Sequence, residues 1–221
     1  MQRLNRSWSQ ADKIDTMRSR HVWLLLLTLA AACKKSDVGN TDSEDVFPNK
    51  VGDRWQYLVK DTTVLRGLDS GSVQYYVDVV IVDTVKLSNG ITATVWQFNY
   101  PAGPDTNFVF QTGDTVRFMD KTNSYIVRQY LVPFNVGASW FYTFGFQEVK
   151  VTSQADLVVG GNNFQNAYQI YGDAGLPDAE FSVNEWFANH TGFVKRYFNP
   201  SGELLYTKHI LDWSLVSYEL K

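Results

Sequence analysis

The sequence contains few of the residues that catalysis, metal binding and crosslinking require. Its 221 residues include one cysteine and three histidines, so no disulfide can form within the chain. His21, His190 and His209 form no H-x-H or H-E-x-x-H spacing, which argues against a zinc site. No G-x-S-x-G motif places a serine nucleophile beside a base. We therefore expect a protein that is not an enzyme and that has no catalytic residues, metal or cofactor.

Carboxylate pairs are the remaining source of acid–base chemistry, since two of them can hydrolyse a glycoside. The candidate pairs are Asp78 with Asp83, Asp173 with Asp178, and Glu180 with Glu185. Each side chain falls where a solvent-facing strand or loop charge is ordinary, and we expect all of them to be exposed. A glycan-active enzyme is therefore the least favoured alternative.

A surplus of basic residues is also absent. The whole chain has 20 basic and 23 acidic residues. Residues 1–32 hold five of the basic and two of the acidic residues, so the rest of the chain carries 15 basic and 21 acidic residues, a net charge of −6. A surface that neutralises phosphates needs clustered Lys and Arg. We expect no nucleic-acid partner.

The longest apolar run, Val22 to Leu29, is shorter than the roughly 20 residues that span a bilayer. Arg18 and Arg20 precede it and three alanines follow it, which is the pattern of a secretory signal peptide. Cys33 comes directly after the alanines, and the segment resembles the lipobox of bacterial lipoproteins, in which this cysteine is acylated and becomes the first residue.

The lipobox resemblance implies a signal peptide over residues 1–32, with Met17 as the expected start, and a lipid anchor at Cys33. Several acyl chains on one residue give a stable anchor, whereas a single chain does not. Residues 33–46 are small, polar and acidic, and we expect a flexible tether there. Residues 47–221 are enough for a single β-rich domain.

Short β-branched and aromatic runs separated by turn signals fill this domain, which is typical of an all-β protein. The turn signals include Asn89-Gly90, Gly113-Asp114 and Gly160-Gly161. We predict about 11–12 strands in a strongly curved antiparallel sheet or incomplete barrel, with little helix. We also predict loops at 102–107 and 172–178, a turn at 199–202, and a bulge in the last strand near Ile210-Leu211.

One motif occurs twice. "FPNKVGDRWQY" and "VPFNVGASWFY" share five residue types at a constant offset of 85 positions. The shared residues are Pro48 and Pro133, Val51 and Val136, Gly52 and Gly137, Trp55 and Trp140, and Tyr57 and Tyr142. Pro suits a strand entry, Gly allows positive φ, and Trp and Tyr two positions apart face the same side. We interpret the motif as a corner that begins each of two sheet halves, 47–132 and 133–217; an aromatic platform for a sugar or lipid is the alternative.

The repeated motif, together with "WFANHTGFVKRYF" and its Gly192, resembles a set of envelope lipoproteins of unknown function that is frequent in Bacteroidota. The resemblance implies a half-barrel fold comparable to the lipoprotein carriers LolA and LolB. It also implies residence in the cell envelope at the outer membrane, facing the periplasm or the surface.

These observations favour a non-enzymatic lipoprotein whose curved, aromatic-rich sheet binds an apolar or amphipathic ligand or an envelope protein. A structural or assembly accessory of a surface complex is the alternative. As candidate ligand-facing residues we take aromatics outside the corner motif: Trp96, Phe144, Phe146 and Trp186.

Overall fold

The computed structural model describes residues 47–65, 68–122, 125–143, 147–176, 179–201 and 207–221. Cys33 and the tether lie outside them, as do Phe144 and Phe146. Within this part of the chain twelve β-strands form, and no helix. The strands are β1 (Arg54–Leu65), β2 (Leu68–Lys86), β3 (Thr92–Tyr100), β4 (Gly103–Thr112), β5 (Thr115–Asp120), β6 (Ile126–Leu131), β7 (Ser139–Thr143), β8 (Gln147–Val159), β9 (Asn162–Leu176), β10 (Ala179–Ala188), β11 (Gly192–Ser201) and β12 (Thr207–Glu219). Among these residues no helix has the length and apolarity needed to cross a membrane.

All twelve strands belong to one antiparallel sheet, which is nearly closed into a barrel. Its order is β6-β5-β4-β3-β2-β1-β12-β11-β10-β9-β8-β7. Strands β1 to β6 therefore run outwards on one side of the β1–β12 pair, and β7 to β12 run inwards on the other side. The prediction of a strongly curved all-β sheet with about 11–12 strands is confirmed.

The alternation of side chains along each strand places the buried core residues on the inner face of the curved sheet. In β5, residues Val116, Phe118 and Asp120 are buried while their neighbours are half-buried, because successive side chains of a strand point to opposite faces. In β1 the same alternation buries Trp55 and Tyr57. Each large apolar side chain that is fully buried stabilises the fold by about 1.5–3 kcal/mol.

The two copies of the corner motif form the same backbone hydrogen bonds. In the first, the N–H of Gly52 donates to Ile81 O (2.8 Å), and Ile81 N–H donates to Asp53 O (2.9 Å). In the second, Gly137 N–H donates to Val151 O (2.8 Å), and Val151 N–H donates to Ala138 O (2.9 Å). The glycines have φ of +97° and +93°, a region that residues with a Cβ rarely adopt.

Three finer predictions were wrong, because strands continue through segments that carry turn residues. Strand β4 begins at Gly103 and β9 continues to Leu176, so the predicted loops are mostly strand. Gly172 lies inside β9, and a Cβ at this position would meet Val149 Cγ1 at 2.4 Å. Glycine therefore permits a close approach of the two strands here. Pro200 is paired with Phe181 inside β11, not placed in a turn.

The bulge in the last strand is also displaced from its predicted position. The register between β1 and β12 shifts where Gln56 pairs with Ser217 and Tyr57 pairs with Leu215. Val216 is thus the extra residue, six positions beyond Ile210. The change in the phase of the apolar residues near Ile210-Leu211 predicts a bulge earlier in the strand than the one the structure shows.

Candidate functional site

A cavity of about 290 Å³ lies inside the curved sheet. Twelve of its lining residues are aromatic: Phe47, Trp55, Tyr57, Trp96, Phe98, Tyr100, Phe118, Tyr125, Tyr130, Phe187, Phe193 and Trp213. They come from both halves of the sheet, since β1, β3, β5 and β6 contribute on one side and β10, β11 and β12 on the other. Small-molecule sites typically have such apolar walls and a few polar groups, with volumes from about 300 Å³ upwards.

The aromatic wall follows from period-two placement on the strands. Trp96, Phe98 and Tyr100 alternate along β3, so all three point to the inner face. Trp55 on β1 stacks on Trp96 with ring centroids 5.0 Å apart and an interplanar angle of 15°. Stacked and edge-on aromatic pairs contribute about 0.5–1.5 kcal/mol beyond the area that they bury.

Three donors of this wall bond to the protein, whereas the buried Trp213 Nε1 has no hydrogen-bond partner among the described residues. Trp55 Nε1 donates to Thr191 O (2.7 Å), Tyr57 Oη donates to Phe193 O (2.8 Å), and Trp96 Nε1 donates to Asn49 Oδ1 (2.8 Å). The ring faces are thereby left as apolar surface.

Exposed lining residues mark the mouth of the cavity. Asp105, Lys121 and Tyr125 are exposed, and they lie at the start of β4 and in the connection between β5 and β6. Asp120 is buried beside them, and its carboxylate accepts hydrogen bonds from the backbone N–H groups of Thr122 (3.1 Å) and Tyr125 (3.0 Å). The Asp120 carboxylate is therefore engaged in holding its own turn.

Glu185 forms the centre of a buried polar cluster beside the aromatic wall. Its carboxylate accepts from Tyr142 Oη at Oε1 (2.8 Å) and from Tyr130 Oη at Oε2 (3.0 Å). Arg196 Nε lies 3.2 Å from Oε1, and the Glu185 side chain has no exposed surface. The prediction that Glu185 is solvent-facing was wrong, because the residue alternates with Val183 and Phe187 on the inner face of β10.

The two tyrosines keep their protons in this cluster. Burial, followed by the charge of Glu185, raises the pKa of Tyr142 to about 12. The same two causes raise the pKa of Tyr130 well above its ordinary value. Both phenols are therefore hydrogen-bond donors at neutral pH.

The cluster also joins the two edges of the sheet. Tyr130 lies on β6 and Tyr142 on β7, the two strands at the ends of the sheet order, and among the described residues no ladder connects them. Side chains connect them instead: Trp140 Nε1 donates to Gln129 O (2.7 Å), and Gln129 Nε2 donates to Phe141 O (2.7 Å). We call this junction of β6 and β7 the seam.

Arg128 contributes a second positive charge to the cavity. It lies two positions before Tyr130 on β6 and lines the same space as Arg196. Its guanidinium carbon is 4.3 Å from the centroid of the Phe118 ring. Its Nε has no accessible surface and no hydrogen-bond partner, and among the described residues no carboxylate forms an ion pair with it.

The sequence candidates fall in different places. Trp96 lines the cavity, whereas Trp186 does not. The Trp186 ring lies under Lys195 Nζ at 5.2 Å. Phe144 and Phe146 lie outside the described residues. Three residues of the first copy of the corner motif, Pro48, Trp55 and Tyr57, also line the cavity.

The remaining carboxylate pairs show no such clustering. Asp78 and Asp83 are exposed on β2, and Asp78 accepts a hydrogen bond from Gln56. Asp173 is exposed, Asp178 lies outside the described residues, and the side chain of Glu180 is not described. Within the described part of the chain, no group of three His, Cys, Asp or Glu side chains could hold a metal ion.

Sequence reasoning missed Glu185 and Arg128 as parts of one site. The signal for Glu185 was present in the alternation Val183-Glu185-Phe187, a charge on an otherwise apolar face. Arg128 alternates similarly with the buried Tyr130 and Val132. Neither pattern indicates which residue of a distant strand lies opposite.

Comparisons with known proteins show a fold likeness at a low level. No protein-family profile and no curated protein matches the sequence. Among solved structures, a "putative lipoprotein" from Parabacteroides distasonis is 9% identical, with a TM-score of 0.43, and the match covers 78% of this chain and 97% of that one. A "putative exported protein with YmcC-like fold" from Bacteroides fragilis is 12% identical, with a TM-score of 0.38, over 79% of this chain and 98% of that one. At these TM-scores neither likeness bears on function.

Proposed function

We propose that this chain is a non-enzymatic lipoprotein of the bacterial cell envelope that binds the apolar part of a small amphipathic molecule inside its curved sheet. The observation that carries the proposal is the aromatic cavity, in which the indole N–H groups of Trp55 and Trp96 and the phenol of Tyr57 bond to the protein. An apolar ligand would meet ring faces there and would leave none of these three donors unpaired.

The cellular part of the proposal rests on the sequence. The segment that ends at Cys33 supports cleavage of residues 1–32 and acylation of the cysteine, with attachment to the outer membrane on its periplasmic or outer side. The tether, residues 33–46, would then let the domain reach lipids or proteins near that surface.

Filling the cavity tests the binding function. Val127 lines the cavity and is half-buried, so Val127→Trp should occupy the space of the ligand. Val82→Trp is the matched control, because Val82 is 44% exposed on β2. The full chain is extracted with a styrene–maleic acid copolymer, which introduces no alkyl detergent, and bound molecules are identified by native mass spectrometry.

We expect a bound small molecule in the unaltered chain and in Val82→Trp, and a loss of that molecule in Val127→Trp. Repeated spectra of an empty unaltered chain would overturn the proposal. Equal retention by both variants would place the bound molecule elsewhere and would also overturn it.

The anchor has a separate test. Cys33→Ala should leave an unprocessed chain that no longer carries lipid, whereas Ser43→Ala in the tether should be processed and anchored normally. Metabolic labelling with an alkyne fatty acid measures the lipid directly. Normal cleavage and membrane association of Cys33→Ala would reject the anchor.

A partner protein is the second candidate, and one surface favours it. Leu65 and Leu68, which are 46% and 74% exposed, are cross-strand neighbours at the end of the β1–β2 hairpin. Contiguous exposed apolar residues often mark protein contacts. Crosslinking in cells should then return one dominant partner, and the crosslinks should be lost in Leu68→Lys.

A further inference from the structure

The charges around the cavity are unequally matched. Arg196 Nε lies 3.2 Å from the Glu185 carboxylate, which also accepts from two tyrosine hydroxyls, so Arg196 has a counter-ion within the protein although its Nε forms no hydrogen bond within the described part of the chain. Asp120 is engaged by backbone N–H groups of its own turn. Lys121 and Asp105 are exposed at the mouth, where water screens them. Arg128 forms no ion pair among the described residues, and the Glu185 charge that acts on it is already paired with Arg196.

An unpaired guanidinium is an unfavourable component of an apolar cavity. A charge that leaves water needs a partner, and arginine keeps its charge at any physiological pH. The ring of Phe118 at 4.3 Å compensates in part, since a cation over an aromatic face is attracted to it. It supplies no hydrogen-bond acceptor, however, and Arg128 Nε has none.

We infer that the ligand of this cavity carries one anionic head group and that Arg128 recognises it. The inference rests on the proposed binding function and adds the chemical class of the ligand: an amphiphile with a single carboxylate or phosphate at the end of an apolar chain. The planar fork of arginine matches both groups by paired hydrogen bonds. The apolar chain would lie against Trp55, Trp96 and Phe98.

The position of Arg128 supports this assignment over a structural one. Arg117 on the neighbouring strand shows how an arginine of this sheet is otherwise placed, since it lies between the buried Val116 and Phe118 and therefore points to the outer face. Arg128 points inwards, two residues from the core residue Tyr130. No strand pairing requires a cation at that position.

The experiment compares three probes that share one alkyl chain: lauric acid, dodecyl phosphate and dodecanol. The full chain is held in amphipol, and binding is followed by tryptophan fluorescence, because Trp55, Trp96 and Trp213 line the cavity. The variants are Arg128→Met, Arg128→Lys and the control Arg117→Met. Partitioning of each probe into the amphipol is the same for all variants, so differences between variants report the cavity.

We expect the unaltered chain and Arg117→Met to bind at least one anionic probe about tenfold or more tightly than dodecanol. Arg128→Met should lose about 10- to 100-fold in affinity for that anion, the usual loss for a hydrogen bond to a charged group. Its affinity for dodecanol should not change. The anion that shows the larger loss identifies the head group as carboxylate or phosphate.

Arg128→Lys keeps the charge and removes the fork, so its affinity for the anion should fall less than that of Arg128→Met. It also provides a test if Arg128→Met fails to fold, which circular dichroism would show. An unchanged affinity of Arg128→Lys for both anions would reject the paired contact.

Equal binding of dodecanol and both anions by the unaltered chain would overturn the inference but leave the proposed function intact. Failure of all three probes to bind would overturn the proposed function itself.

Discussion

The two corners of the sheet have the same backbone and different surroundings. At both, a glycine with φ near +95° turns the chain, and the same pattern of hydrogen bonds ties it to the next strand. At the first corner, Trp55 is buried and stacks on Trp96 in the cavity wall. At the second, Trp140 is only half-buried and stacks on Phe134, with centroids 6.1 Å apart.

The tyrosines differ even more. Tyr57 donates to the backbone carbonyl of Phe193, whereas Tyr142 donates to the buried carboxylate of Glu185 and so helps to connect the seam. The first corner also has Asp53, whose carboxylate accepts from the backbone N–H groups of Lys50 and Lys221, where the second has Ala138. The motif thus specifies a turn and an inward-facing pair of aromatics, and the strands opposite determine what that pair does.

The largest expected effect is at the carboxylate that only the second corner contacts. Glu185→Ala leaves the half-buried Arg196 without its counter-ion and removes the acceptor of two tyrosine hydroxyls. We expect a loss of about 3–5 kcal/mol in the free energy of unfolding. Glu148→Ala on β8 is the control, since Glu148 is exposed, and it should change the value by less than about 1 kcal/mol. Urea denaturation measures the free energy of unfolding of both variants. Equal losses would show that Glu185 is not central to the stability of the seam.

The paired tyrosine substitutions come next. Tyr142→Phe removes a hydrogen bond to a charged group and should destabilise the domain by about 1.5–3 kcal/mol. Tyr57→Phe removes one to a neutral carbonyl and should cost about 0.5–1.5 kcal/mol. The difference between the two losses of unfolding free energy, measured under the same denaturant conditions, reports how far the roles of the two tyrosines differ. A larger loss in Tyr57→Phe would reverse the comparison.

The glycines test what the corners share. Gly52→Ala and Gly137→Ala place a Cβ at φ of +97° and +93°, and each should cost about 1–2 kcal/mol. A Cβ on Gly52 would also meet Lys221 Cγ at 3.0 Å, whereas a Cβ on Gly137 would have no other atom of the described residues within 4 Å. Gly52→Ala should therefore be slightly the worse of the two in thermal unfolding. A neutral Gly137→Ala would show that the second corner does not need its glycine.

The last effect is confined to alkaline pH and is absent at neutral pH. The pKa of Tyr142 is about 12 in the folded state against 10.0 for an ordinary tyrosine. The unfolded chain loses this proton first, so the contribution of Tyr142 to stability is complete below pH 10 and is lost as the pH rises towards 12. Tyr142→Phe should flatten the decline of unfolding free energy in that window. An unaltered slope would mean that other buried tyrosines account for the decline.

The sequence predicted local features well and the pairing of distant ones poorly. Alternating aromatics, Asn-Gly and Gly-Gly turns and the repeated Pro–Gly–Trp–Tyr pattern were sufficient for the all-β curved sheet, because each depends on a few neighbouring residues. Gly172 was assigned to a loop because glycine is common in loops. Here it is needed for the close approach of Val149 on another strand, which the local sequence does not show. Glu185 and Arg128 were missed for the same reason. Whether a charge on an inner face is paired depends on which strand faces it across the barrel.

The seam has a consequence for how the domain moves. Strands β1 and β12 are joined by a long ladder of backbone hydrogen bonds, so separating them amounts to unfolding. Strands β6 and β7 are held by Trp140, Gln129 and the Glu185 cluster, and a neutral hydrogen bond of this kind contributes only about 1 kcal/mol. The β6–β7 side of the barrel is therefore held by a few side-chain contacts, and the β1–β12 side by a continuous backbone ladder. Amide hydrogen exchange should be fastest in β6 and β7.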